Sequence, residues 1–158
     1  MLVPVDDDVL ARMVAAATSD AAADEVTPRL PGDDAAWSPA RVAWLQALHR
    51  ECRSGLDGPR GQATWAVLRD DAVVGAVRLA RTEEQGVLET GIWLTRAVRG
   101  TGLGRAAVGD VVQRARTAGA LVVRADTTPG NTGALAVLTA LGFACSPSAG
   151  GVRAVLRL

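Results

Sequence analysis

The residues best suited to chemistry lie at Arg99-Gly100-Thr101-Gly102-Leu103-Gly104. Three glycines at alternate positions let a ligand approach the backbone closely. A helix beginning there aims its unpaired N–H groups and positive dipole end at the same spot. Together these make an anion site, most simply for a phosphate or pyrophosphate. Arg99 and Arg105 add positive charge. A Gly-rich loop alone is weak evidence, and a plain flexible turn is the competing reading. Gly102-Leu103-Gly104-Arg105-Ala106-Ala107 also fits a dinucleotide G-x-G-x-x-A pattern, with Asp126 placed as a ribose ligand. That pattern starts directly after its strand, however, and here Thr95 to Arg99 intervene after Leu94.

The surrounding periodicities set the elements that position this loop. Asp6 to Asp8 can cap a helix with an apolar stripe of Val9, Leu10, Met13, Val14 and Ala17. Residues 18–36, broken by Pro28, Pro31 and Gly32, read as a loop. Ser38-Pro39 starts a helix running to about Arg53, with Trp44, Leu45, Leu48 and Cys52 inward. Strands follow at Thr64–Arg69 and Ala72–Arg81, joined at Asp70-Asp71, and at Val87–Leu94. Leu103, Ala107, Val108, Val111, Val112 and Ala115 then recur at helical spacing up to Gly119. Ala120–Ala125 reads as a buried parallel strand and Asn131–Leu141 as a helix ended by Gly142. Phe143–Cys145 and Gly151–Leu158 form a closing hairpin. One β-α-β unit behind an antiparallel meander predicts an α/β (α+β) domain with a mixed, mostly antiparallel sheet.

Composition narrows the function classes. The chain has 158 residues, 49% hydrophobic and 22% charged, enough for one domain over 1–158 with a real core. No apolar run approaches the ~20 residues of a membrane span. The N-terminus lacks a secretory pattern, so a cytoplasmic location is expected. Cys52 and Cys145 are too few for a disulfide framework and read as buried thiols. With His49 the only histidine, a metal cluster is not expected and neither is a Ser-His-Asp triad. The net charge is zero, but 15 of 17 bases and only 9 of 17 acids lie beyond residue 40, which suits a phosphorylated ligand. No basic helix or aromatic series supports nucleic-acid binding.

The stretch Leu88-Glu89-Thr90-Gly91-Ile92-Trp93-Leu94, followed by Arg99-x-x-Gly102-x-Gly104, resembles the Gln/Arg-x-x-Gly-x-Gly/Ala motif of the GNAT acetyltransferase superfamily. Asn131 to Phe143, with Ala134, Leu138 and Leu141-Gly142-Phe143, resembles its second motif. The Glu-x-Gly-x-Trp-Leu strand and Leu138 look most like the ribosomal-protein N-terminal acetyltransferase branch. The resemblance covers about residues 64–158, leaving 1–63 as a helical, substrate-side region.

That resemblance implies a GNAT fold with a splayed central β-α-β unit, helices on both faces, and acetyl-CoA in the splay. The backbone of Ile92, Trp93 and Leu94 is implied to pair with the pantetheine arm, one N–H polarising the thioester carbonyl. Arg99, Gly100, Thr101, Gly102, Leu103, Gly104 and Arg105 are implied to hold the pyrophosphate. Asn131 is implied to bond the pantetheine, or simply to cap its helix. The implied reaction is direct attack of a primary amine, of a small molecule or peptide N-terminus, on the thioester. Glu89 is the first candidate base, Asp126 the second and His49 the third. The usual acid is missing: Leu138 stands where a Tyr is common, and Ala134 where a Ser is. Thr128 and Ser146 are substitute donors. The same absences allow a different class, a non-catalytic acyl-CoA-binding or sensing module. Trp37, Trp44, Trp65 and Trp93, and the loop near Glu83–Gly86, are candidates to wall the acceptor pocket, with acids of 18–36 attracting a cationic amine. A homodimer pairing through the last strand is plausible.

Overall fold

A computed structural model describes residues 1–158. Asp6 caps helix α1 (Asp7–Asp20) by accepting from the Val9 N–H, and Leu10, Met13 and Ala17 are its buried stripe. Ser38 caps α3 (Pro39–Glu51) with Pro39 in the first turn. Its buried face is Arg41, Leu45 and His49, continuing to Cys52, rather than the expected row with Trp44 and Leu48, which are only half-buried. Periodicity puts both sets on neighbouring stripes of one helix; the buried ion pairs of Arg41 decide between them.

The meander forms as expected: β2 (Gln62–Arg69), β3 (Ala72–Arg81) and β4 (Val87–Leu94), antiparallel throughout. Asp70 and Asp71 carry φ of 48° and 63°, the left-handed pair of a two-residue hairpin. α4 (Leu103–Thr117), β5 (Val122–Thr127) and α5 (Thr132–Ala140) follow, then the hairpin of β6 (Ala144–Ser148) and β7 (Gly151–Arg157). Two elements were not legible. β1 (Leu2–Pro4) pairs with β2, and α2 (Ala23–Val26) is a single turn inside the stretch read as loop. Three or four residues give no measurable period.

The seven strands run in the order β1-β2-β3-β4-β5-β7-β6. On one face α4 packs Ala107, Val108, Val111 and Val112 against Val77, Leu79, Leu88 and Val123. On the other, Leu10 and Met13 of α1 meet Ala66, Val73 and Ala76. Each Val, Leu or Met among them stabilises the fold by about 1.5–3 kcal/mol on burial.

Two expectations are corrected. β7 is flanked by β5 and β6, so the last strand is internal and offers no edge to a second copy; the free edge belongs to β6. Cys52 is buried but Cys145, on that edge strand, is exposed.

Candidate active site

β4 and β5 are the only parallel neighbours, and they pair at just three positions: Val87 with Val122, Leu88 with Val123, and Glu89 with Arg124. Beyond Glu89 they part. β4 continues along β3 to Leu94, and β5 along β7 to Thr127. The gap between them is a V whose apex is Glu89–Arg124.

The backbone parity of β4 follows from one bond: the Thr95 N–H donates to the Val74 carbonyl on the β3 side at 2.9 Å. Alternate residues point alternate ways. Trp93 and Gly91 therefore also face β3, whereas the N–H groups of Ile92 and Leu94 face the V. The expectation for Ile92–Leu94 thus narrows to Ile92 and Leu94, with the Trp93 backbone engaged in the sheet opposite Ala76.

At the open end of the V lies the glycine loop. Gly100 and Gly102 have φ of 74° and 87°, and Gly102 is the N-cap of α4. No backbone N–H from Gly100 to Arg105 donates to an acceptor in the chain; the helical ladder starts with Ala106 donating to the Gly102 carbonyl. A Cβ on Gly100 or Gly102 would meet no atom within 4 Å. Free donors, a helix N-terminus and open space fit a pyrophosphate. Arg105 adds an exposed guanidinium without an ion-pair partner. Arg99 departs from its expected role. It donates to the Leu94 carbonyl at 3.1 and 2.9 Å and forms a bidentate pair with Glu25, at 3.1 and 2.8 Å. It fastens α2 to the end of β4. The Thr101 hydroxyl donates to the Val98 carbonyl, tightening the loop from within. The Asn131 side chain accepts from the Ala134 N–H at 3.1 Å, the capping role.

Both candidate carboxylates are ion-paired. Glu89 meets Arg78 at 2.5 Å and Arg124 at 3.6 Å. Asp126, past the apex on β5, holds Arg153 at 2.9 and 3.3 Å, a pairing that raises the Arg153 pKa. Ser146 lies on β6, two strands beyond β5, which removes it from the neighbourhood of the V; Thr128 is exposed in the turn after β5. Leu138 is core.

A cavity of about 180 Å³ adjoins β4 on the face opposite α4. Val26, Leu45, Leu48, Ala76 and Trp93 give it apolar walls, with His49, Thr64, Gln62 and Arg78 as polar groups. Of the four tryptophans only Trp93 lines it. Trp65 packs on the other core beneath Arg114, and the Trp37 Nε1–H donates to the Ala21 carbonyl. The His49 Nδ1 sits 3.0 Å from the Thr64 hydroxyl, and burial pushes its pKa down to about 4, so the ring is neutral at pH 7. A wider polar cleft adjoins, lined by Arg78, Arg81, Thr82, Glu83, Glu84, Glu89 and Arg124.

The acids of 18–36 are tied into the structure by ion pairs and caps, and Glu25 among them also lines the small cavity. Fully buried Arg41 gathers Asp24 at 2.6 Å, Asp33 at 3.3 Å and the Asp34 carbonyl at 3.1 Å. Arg29, then Arg41, hold the Asp24 carboxyl below its usual range, and Arg99 does the same for Glu25.

The model of an acetyltransferase (GNAT) domain matches residues 1–144, including the stretch before residue 64 where no motif was legible. The chain belongs to that family. Its domain is an acetyltransferase domain. Solved structures agree in fold. RimJ of Mycobacterium smegmatis in complex with CoA-disulfide is 19% identical, with a TM-score of 0.76 over 99% of this chain and 80% of that one. A ribosomal-protein-alanine N-acetyltransferase from Brucella melitensis is 19% identical, TM-score 0.68, over 100% and 99%. The yncA acetyltransferase from Salmonella typhimurium, with its cofactor acetyl-CoA, is 20% identical, TM-score 0.67, over 100% and 93%. A search of curated proteins finds no significant match. No helix of this acetyltransferase is long and apolar enough to cross a membrane.

Proposed function

We propose that this acetyltransferase, as one domain, moves an acetyl group from acetyl-CoA to the primary amine of a small molecule or peptide N-terminus by direct attack. The observation carrying the reading is the V between β4 and β5, with the Ile92 and Leu94 N–H groups facing it and free N–H groups from Gly100 to Arg105 at its mouth. Bound acetyl-CoA supplies an activated acyl carbon. The loop N–H groups and Arg105 hold the pyrophosphate. The V-facing N–H groups of Ile92 and Leu94 bind and polarise carbonyl oxygens.

The acceptor arrives from the face carrying the small cavity. An alkylammonium with pKa near ~10 must shed a proton before it attacks. Glu89, at the apex, receives the ammonium and that proton, directly or through water. Its ion pairs with Arg78 and Arg124 hold the carboxylate at the apex. Asp126 lies two residues further along β5 and serves as the second acceptor of the proton. The N–C bond forms as the C–S bond breaks, the nitrogen's remaining extra proton passes through water to the departing sulfur, and a thiol with pKa near ~8.5 needs no dedicated acid.

Calorimetric titration with acetyl-CoA tests the site. Wild type binds at micromolar levels, and the Gly102→Asp/Gly104→Asp variant loses binding because a carboxylate replaces the anion site. Failure of the folded wild type to bind refutes the reading. Turnover over an amine panel separates an enzyme from an acyl-CoA-binding module, which binds without releasing CoA. Full activity in Glu89→Gln removes Glu89 as base.

A further inference from the structure

Arg78 borders both the small cavity and the polar cleft. It reaches Glu89 by crossing over Gly91, where a Cβ would stand 3.1 Å from its Nε. Arg124 flanks Glu89 from the other strand. Its Nη1 is 3.0 Å from Glu84, while its Nε is buried and has no acceptor. Buried donors without partners are rare in folded proteins, so the Arg124 Nε beside the apex calls for a ligand oxygen.

We infer that the acceptor is a free α-amino carboxylate with a compact apolar side chain. The inference rests on the acetyl-transfer reading above. Glu89 takes the ammonium; Arg78 and the free Nε of Arg124 take the carboxylate; the apolar cavity takes the side chain. A polyamine brings only donors and cations, and would leave the buried Arg124 Nε without an acceptor. A peptide N-terminus offers a neutral amide oxygen where the two guanidiniums favour a charged one. The cavity's roughly 180 Å³ is small beside the ~300–1,000 Å³ of ordinary ligand pockets, which limits side-chain size. In the reaction the ammonium gives one proton to Glu89 and then solvent, the amino nitrogen bonds the acetyl carbon as the C–S bond breaks, and the nitrogen's second proton passes to the departing sulfur, so that CoA leaves as the thiol.

CoA release at saturating acetyl-CoA is measured for alanine, valine and leucine, each beside its amide and its decarboxylated amine. At least one amino acid is expected to exceed both analogues in kcat/KM by roughly tenfold or more, the scale of one charge-assisted hydrogen bond. Arg124→Gln should collapse that ratio toward one through KM, with acetyl-CoA affinity by calorimetry as the check on folding. Equal use of acids and amines, or a ratio that survives both Arg124→Gln and Arg78→Gln, overturns the inference and leaves acetyl transfer standing. No CoA release with any of these compounds overturns the inference, while release that no amine raises above the amine-free rate is hydrolysis and overturns the acetyl-transfer reading together with it.

Discussion

His49 is buried in the wall of the small cavity, and its pKa falls from 6.5 to about 4 because burial penalises the imidazolium. The unfolded chain binds a proton near pH 6.5 that the folded protein refuses until about pH 4. Stability from this residue is therefore complete above pH 6.5 and declines as pH drops toward 4. With those two values, the loss between pH 7.5 and pH 5 comes to about 2 kcal/mol. The assay is urea unfolding at pH steps across that range, for wild type and His49→Gln. Glutamine removes the titration, so the curve of the variant should be flatter by about that amount, whatever its absolute stability. Carboxylates such as Asp24 and Glu25, held low by their arginines, contribute alike to both curves. Parallel curves would refute a buried neutral His49.

Replacing Arg41 with Met leaves Asp33, and in part Asp24, without their buried partner. A loss of about 3 kcal/mol is expected, or roughly 6–12 °C in Tm by scanning calorimetry. An unchanged Tm would show that Arg29 and solvent suffice. At the β2–β3 turn, Asp70→Asn/Asp71→Gly keeps the left-handed pair at φ 48° and 63° in residues that prefer it. The urea midpoint should rise, by about 0.5–1 kcal/mol in stability; a fall would contradict the turn geometry.

Much of the fold was legible because its signals are local. The 3.6-residue stripe of Val108, Val111, Val112 and Ala115, the caps at Asp6 and Ser38, and the glycines of the loop all act over one or two turns of chain. The order of elements, with a single β-α-β unit, then left few topologies, and glycine spacing ahead of a helix marked the loop whose N–H groups the fold leaves unpaired. Tertiary structure decided what local pattern does not encode. Leu2–Pro4 is a strand only because β2 offers an edge to it. Arg99 looks like a pyrophosphate ligand in sequence, yet Leu94 and Glu25, 74 residues away in the case of Glu25, claim its donors. Arg78 and Arg124 carried no motif, and Glu89 lies between them only because three strands meet there. Side-chain type and periodicity are properties of neighbours along the chain; ion pairs, splay and cavities depend on strands brought together by burial of the core, and only the folded chain fixes those.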